Sequence, residues 1–326
     1  MYILGAGYAY PETVISNPFL AELSGELPAS LITELTGVLT RYSVLDPSYL
    51  RETKNRSIRE ASKGSLCSPT DLAVRAAEMA IKRAGISPED IGLIVGDCAT
   101  PREMIPSEAQ RVAKRFTLRV PAYDLVSSSA SISLAFSNLL SWKDDRVPPY
   151  VLFVTTNTPT DRADFFQGTP RLRFGDGAAA FILSNEKTGK LKVEDAFFDT
   201  DPSRGDAFVF DIFSHATMAD DAGDLVEKVQ ARLLAQVCAK HGLKNKEVKW
   251  IGSPFDLLTV KRISEEAKIS PENMWSNVER CGDMLGSSGG CVLAERWDNL
   301  VPGETIVMTQ AGVGFSSGFA LLRGAN

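Results

Sequence analysis

Asp71-Leu-Ala-Val-Arg-Ala-Ala-Glu78, continuing through Lys82-Arg-Ala-Gly-Ile86 into Glu89-Asp-Ile-Gly-Leu-Ile-Val-Gly96, reads as a helix followed by a strand, and the chain writes it twice. The second copy runs from Asp224-Leu-Val-Glu227 through Lys240-His-Gly-Leu243 into Glu247-Val-Lys-Trp-Ile-Gly252. Each copy then has a segment of small residues, Val126-Ser-Ser-Ser-Ala130 or Gly286-Ser-Ser-Gly-Gly290, and a hydrophobic strand, Tyr150 to Val154 or Thr305 to Met308. Each closes on a Gly-punctuated strand: Phe174-Gly-Asp-Gly-Ala-Ala-Ala-Phe-Ile-Leu183, and Gly312-Val-Gly-Phe-Ser-Ser-Gly-Phe-Ala-Leu-Leu322. Two copies of a long helix–strand–helix–strand unit are too few for a solenoid. They predict a duplicated α/β fold with halves at residues 1–185 and 186–326.

Local signals fill in the elements. Pro69-Thr70-Asp71 starts a helix, with Thr70 or Asp71 as its cap, and Gly85 stops it. Ile91 to Val95 is nearly all apolar, the pattern of a strand covered on both faces. Ile3-Leu4 reads as a strand ending in a tight turn at Gly5-Ala-Gly7. Tyr123-Asp-Leu-Val126 is a short strand that breaks into Ser127 to Ser131 and an apolar helix through Leu140. Asn17 to Leu39 is weakly helical, Arg51 to Lys63 is dense in charge, and Asp201 to Asp206 reads as the linker into the second copy.

Composition excludes several classes. Hydrophobic residues at 44% and charged residues at 23% are ordinary for a globular protein. A net charge of −6 argues against nucleic acid, which needs a basic face for its phosphates. No apolar run approaches the roughly 18–20 residues of a membrane span. The N-terminus lacks the basic start of a secretory signal. The 5 cysteines lie in no metal-ligand spacing, so a reducing cytoplasm and no structural metal are expected. Neither Gly5-Ala-Gly7 nor Gly312 to Gly318 has the spacing of a dinucleotide loop opening a helix.

Six segments in order carry a resemblance: Ala99-Thr-Pro101, Ile105-Pro-Ser-Glu-Ala109, Asp124-Leu-Val-Ser-Ser-Ser-Ala130, Phe174-Gly-Asp-Gly-Ala-Ala-Ala180, Gly282-Asp-Met-Leu-Gly-Ser-Ser288 and Gly314-Phe-Ser-Ser-Gly-Phe-Ala320. Through them the chain resembles the thiolase-fold condensing enzymes, most closely β-ketoacyl-acyl-carrier-protein synthase III, over nearly its whole length. The resemblance implies a five-layered αβαβα sandwich of two similar halves, dimeric through the strand beside the nucleophile elbow. It also implies a Cys nucleophile at a helix N-terminus, where the dipole lowers a thiol pKa. A His and an Asn would then stabilise the enolate left by decarboxylation.

The chain departs at all three places. The nucleophile position falls on Ser129, whose hydroxyl would need an adjacent base; the other reading is a small residue easing a helix start. The family's Pro-His-Gln-Ala-Asn stretch aligns with Ser253-Pro-Phe-Asp-Leu257, which has no His. The Gly-Asn position reads Gly282-Asp283, where Asp283 is either a base or acceptor, or a turn residue. His215 and His241 sit in no matching motif and read as surface or helix-end residues. By resemblance, the backbone at Val313 and Gly314 would join the Ser129 N–H in an oxyanion hole, and Ile105 would reach a neighbouring subunit's acyl pocket. Arg51, Lys54 and Arg56, with Arg59 and Lys63, could meet coenzyme A phosphates or an acidic acyl carrier protein, or form a solvated face with Glu52 and Glu60.

Two functions are expected. In one, the chain is a triad-deficient subunit that pairs with a triad-intact homologue in fatty-acid or polyketide-type biosynthesis. In the other, it is a Ser-dependent or template-type acyltransferase without decarboxylative condensation. Acyl-coenzyme A or acyl-acyl-carrier-protein would be substrate in either, with no tightly bound cofactor, in a homodimer or heterodimer.

Overall fold

A computed structural model describes residues 1–25, 27–163, 172–210 and 216–325. The first half contains β1 (Tyr2–Ala9), β2 (Thr13–Ser16), α1 (Asn17–Ser24), α2 (Ala29–Thr36), β3 (Thr40–Ser43), α3 (Pro47–Thr53), α4 (Pro69–Ala84), β4 (Leu93–Asp97), α5 (Glu108–Phe116), β5 (Ala122–Asp124), α6 (Ser131–Leu140), β6 (Val151–Asn157) and β7 (Gly177–Ser184). The second contains β8 (Leu191–Thr200), β9 (Phe208–Phe210), β10 (Ala216–Met218), α7 (Ala222–His241), β11 (Lys249–Gly252), α8 (Leu257–Glu266), α9 (Val278–Cys281), α10 (Ser287–Arg296), β12 (Thr305–Gly312) and β13 (Ser316–Gly324).

The duplication is visible in the pairing. Strands β4 and β6 are parallel, and β6–β7 and β7–β1 are antiparallel. The second half repeats this as β11–β12 parallel, then β12–β13 and β13–β8 antiparallel. A short antiparallel contact of β1 with β8 joins the halves, giving the order β11-β12-β13-β8-β1-β7-β6-β4-β5. Strand β5 sits at one edge; its counterpart in the second half is only an isolated bridge between Trp250 and Met274.

The helices supply the layers. Helices α4 and α5 cover the outer face of the first half, and α7 covers the outer face of the second with α8 against it. Between the sheets lie α6 and α10, each mainly against the other half: α6 on β8 and β13, α10 on β7 and β1. This is the αβαβα sandwich. One apolar cluster, including Ile132, Phe136, Phe153 and Phe181 with Ile251, Leu293, Ile306 and Met308, draws on both halves.

Local chemistry explains α4, and corrects its start. The cap is Ser68, not Thr70 or Asp71: its hydroxyl accepts from Asp71 N while the Asp71 carboxylate accepts from Ser68 N, and Pro69 fills the first turn. Gly85, at φ 68°, closes the helix. The expected turn at Gly5-Ala-Gly7 is also corrected, because β1 runs straight through it. A Cβ on Gly5 would stand 2.2 Å from the Ala80 carbonyl oxygen, and one on Gly7 2.0 Å from that of Ala76. The two glycines, facing an alanine-rich stripe of α4, let helix and strand touch backbone to backbone. Strand β4 begins and ends two residues later than the apolar run suggested. The expected linker is a 3-10 turn, Pro202–Ala207, and Asn17 to Leu39 resolves into two helices. Among the described residues no helix is long and apolar enough to cross a membrane.

Gly7→Ala is therefore expected to push α4 off β1 and cost about 1–3 kcal/mol or more in urea denaturation. Gly205→Ala, with nothing within 4 Å of the added carbon, should change stability little. Equal midpoints for the two variants would refute this packing account.

Candidate functional site

The elbow between β5 and α6 is built by backbone strain and small side chains. Ser128 holds φ 47°, unusual for a residue with a Cβ, and the 3-10 turn Ser128–Ala130 leads into α6. Ser129 is buried there. The residue packed against it is Gly312 at the end of β12, where a Cβ would lie 2.8 Å from Ser129 Cβ and 3.1 Å from its backbone nitrogen. Among the described residues Ser129 Oγ makes no hydrogen bond, so no base is engaged with it. Gly314, expected to face this point with Val313, takes φ 68° in the turn joining β12 to β13.

Asp97, at the end of β4, lies beneath the elbow, and sequence reasoning missed it. Its Oδ1 is 2.6 Å from Ser131 Oγ, which lies 2.8 Å from the Ser128 carbonyl and accepts from Ser127 N at 2.9 Å. Its Oδ2 accepts from Thr155 Oγ1 at 2.7 Å and Asn157 Nδ2 at 3.3 Å. Asn157 also reaches Ser287 Oγ on α10, 3.3 Å away. Burial raises the Asp97 pKa to about 6 against the pull of these donors.

Asp283 is buried in the turn before α10. Its Oδ1 accepts from Leu285 N at 2.9 Å and from Ser288 Oγ at 3.2 Å, so it behaves as a turn residue holding the approach to α10. Its backbone pairs with the stretch before β7, through Asp283 N to Arg173 O and Gly175 N to Asp283 O. Burial drives its pKa to about 7, with Arg173 pulling it down and Asp256 pushing it up.

Phe255, in the stretch aligned with the family's Pro-His-Gln-Ala-Asn, has the Arg173 guanidinium stacked 3.9 Å from its ring centroid. Arg173 Nη1 lies 3.8 Å from Asp256 Oδ2, too far for a hydrogen bond, and neither Nε nor Nη1 finds a hydrogen-bond acceptor among the described residues. Burial lowers the Arg173 pKa, and Asp256 and Asp283 offset part of that. The site thus holds a buried arginine between two carboxylates. The signal was an arginine directly before Phe174-Gly-Asp-Gly177, one of the segments that carry the resemblance. Burial pushes the Cys281 thiol to about 12 and those of Cys98 and Cys291 well above the ordinary range.

The remaining expected residues lie outside this centre. Ile105, beside Met104, is 86% exposed, next to a neighbour at 85%. Arg51 is tied to Glu22 at 3.1 Å and stacks over Phe19 at 4.8 Å. Lys54 and Arg56 each carry an interaction within the chain. His241 ends α7 with Nε2 2.7 Å from Asp195 Oδ2. His215 lies outside the described residues.

With this geometry in place, comparison with known proteins is informative. Residues 238–324 match the family described as 3-oxoacyl-[acyl-carrier-protein (ACP)] synthase III C terminal. The β-ketoacyl-[acyl-carrier-protein] synthase III of Escherichia coli strain HS is 25% identical over 344 residues, covering 98% of each chain. The crystal structure of 3-oxoacyl-(acyl carrier protein) synthase III from Pseudomonas aeruginosa PAO1 superposes with a TM-score of 0.85 at 22% identity, covering 100% of this chain and 98% of that one. A fungal type III polyketide synthase gives a TM-score of 0.85 at 20% identity, covering 99% of both. The chain is thus similar to β-ketoacyl-[acyl-carrier-protein] synthase III over nearly its whole length and has the thiolase-like fold of those structures.

The Asp283 environment gives a pH test. Its folded pKa of about 7 lies above the ordinary 3.8, so the folded chain keeps a proton that the unfolded chain has released. The favourable contribution is complete below about pH 4 and is lost as pH rises to about 7. Asp283→Asn keeps the Oδ1 acceptor and removes the buried charge. It should stabilise the chain at pH 8 by about 1 kcal/mol or more, with the gain shrinking toward pH 4. Chemical denaturation at both pH values checks this; a variant less stable than the parent at pH 8 would contradict it.

Proposed function

We propose that the chain is a synthase III-like protein of fatty-acid or polyketide-type biosynthesis that serves as the triad-deficient subunit of a condensing synthase. The observation that carries this reading is the arrangement at the three catalytic positions. Among the described residues Ser129 has no base bonded to it, the aligned stretch Ser253 to Leu257 has no His and lays Phe255 under Arg173, and Asp283 is tied into the turn before α10. A carboxylate at the third position would oppose an enolate when ionised, where an amide would donate to it. The exposed Met104 and Ile105 and the unpaired edge of β5 are the kind of surface a partner subunit covers. The partner would be a triad-intact homologue, its substrates acyl thioesters of coenzyme A or of an acyl carrier protein.

A second reading rests on one observation: the elbow keeps its strained Ser128 and the close approach of Gly312 to Ser129. An acyltransferase that does not decarboxylate needs a positioned thioester and an oxyanion hole, not the His and Asn pair. The backbone of Ser129 and the turn at Val313 and Gly314 would supply the donors.

Alone, the chain is expected to release no carbon dioxide from malonyl thioesters above background. Co-expressed with a triad-intact homologue, it should form a mixed complex whose acyl-chain preference shifts on Ile105→Trp. Robust decarboxylation by the isolated chain, or exclusive homodimers with unchanged products, would remove the subunit reading.

On the acyltransferase reading, Ser129→Ala abolishes acyl transfer and any acyl adduct seen by intact mass, with little change in melting temperature. Full transfer by that variant would exclude Ser129 as the nucleophile.

A further inference from the structure

Arg173 is a buried cation that neither reading of the site uses. Its backbone is pinned, since its carbonyl accepts from Asp283 N at 2.8 Å, and the Phe255 ring covers one face of its guanidinium. The side chain is thereby held between Asp283 and the stretch Ser253 to Leu257, the two places where the resembled family carries its Asn and its His.

The two carboxylates beside it do not satisfy it. Asp256 commits Oδ1 to the N-terminus of α8, accepting from Thr259 N at 2.7 Å, and its Oδ2 stops 3.8 Å short of Arg173 Nη1. Asp283 gives its Oδ1 to Leu285 N and Ser288 Oγ. Nor do these acids outweigh the arginine. The helix N-terminus shares the Asp256 charge, and Asp283, with a pKa of about 7, is only partly ionised at neutral pH. Two nitrogens of Arg173, Nε and Nη1, are sealed in the interior, where no ligand reaches them. Nη2 is not sealed and has no acceptor among the described residues, and the side chain keeps 10% of its surface open. A charged donor in so dry a setting is completed by an acceptor that arrives from outside.

We propose that Arg173 Nη2 is the handle for a carboxylate at the end of an acyl group, and that it holds this carboxylate in place rather than letting it leave as carbon dioxide. Hydrogen bonds from guanidinium to carboxylate are charge-assisted and among the strong ones. A contact made with the carboxylate in the ground state, and lost as the carbon–carbon bond breaks, raises the barrier to decarboxylation. Arg173 is thus a specificity residue: the site selects acyl groups that end in a carboxylate and keeps them intact. The inference rests on the reading that the chain handles acyl thioesters, and it holds for either of the two functions above.

Calorimetric titration of the full chain with succinyl-pantetheine and butyryl-pantetheine tests it. The pantetheine arm is common to coenzyme A and a carrier protein, and the two acyl groups, equal in length, differ in the terminal carboxylate. The succinyl thioester should bind at least about tenfold more tightly. Arg173→Met should remove that preference, and Arg173→Lys, which keeps the charge without the planar fork, should reduce it. Should Arg173→Met fail to fold, Arg173→Lys decides. Malonyl-pantetheine should likewise bind more tightly than acetyl-pantetheine and be recovered intact. If no thioester binds, the thioester reading falls together with the proposal. If the paired thioesters bind alike, if the preference is unchanged in Arg173→Lys, or if bound malonyl-pantetheine loses carbon dioxide, the proposal alone is overturned.

Discussion

One carboxylate out of reach of water, Asp97, constrains the centre of this molecule. A buried charge is tolerable only when hydrogen bonds replace its hydration. Asp97 obtains them from Ser131 at the start of α6 and from Thr155 and Asn157 on β6. Asn157 and Thr155 extend the chain of contacts to Ser287 on α10, which belongs to the second half. The elbow, the central parallel strands and the helix from the other copy are thereby fixed to one another through a single side chain. The strained backbone at Ser128 persists because this network over-determines it.

Around that anchor the site combines backbone geometry with buried charge. A helix N-terminus, a close-packed glycine and a turn of positive φ supply the backbone features. The side chains around them form a buried set of Arg173, Asp256 and Asp283, with Phe255 as an apolar plate under the guanidinium. Such a set holds charge in place; it supplies no neutral imidazole or amide to donate toward a developing enolate.

The duplication was legible in the sequence because it is carried by period and punctuation: apolar helical spacing, a near-continuous apolar strand, and glycines closing each copy. The elbow was legible too, since a run from Ser127 to Ser131 between a strand and an apolar helix has few other uses. Gly5 and Gly7 were misread as a turn because the reason for them is α4, distant in sequence. Asp97 was invisible for the same reason, and Arg173 showed only as an arginine before Phe174-Gly175. Asp97 looks like the polar end of a strand until Ser131, Thr155 and Asn157 arrive from elsewhere.

The central layer has a consequence for the history of the chain. Because α6 lies on the strands of the second half and α10 on those of the first, each copy buries the other's apolar face. Neither copy, cut away, would retain a closed interior, so the duplication cannot be undone by deletion. A substitution in either copy must be accommodated by its twin, which ties their divergence together. The ancestor of the two halves, if it stood alone, could have had this middle layer only by trading helices with a second copy of itself. The present chain is then a fused pair.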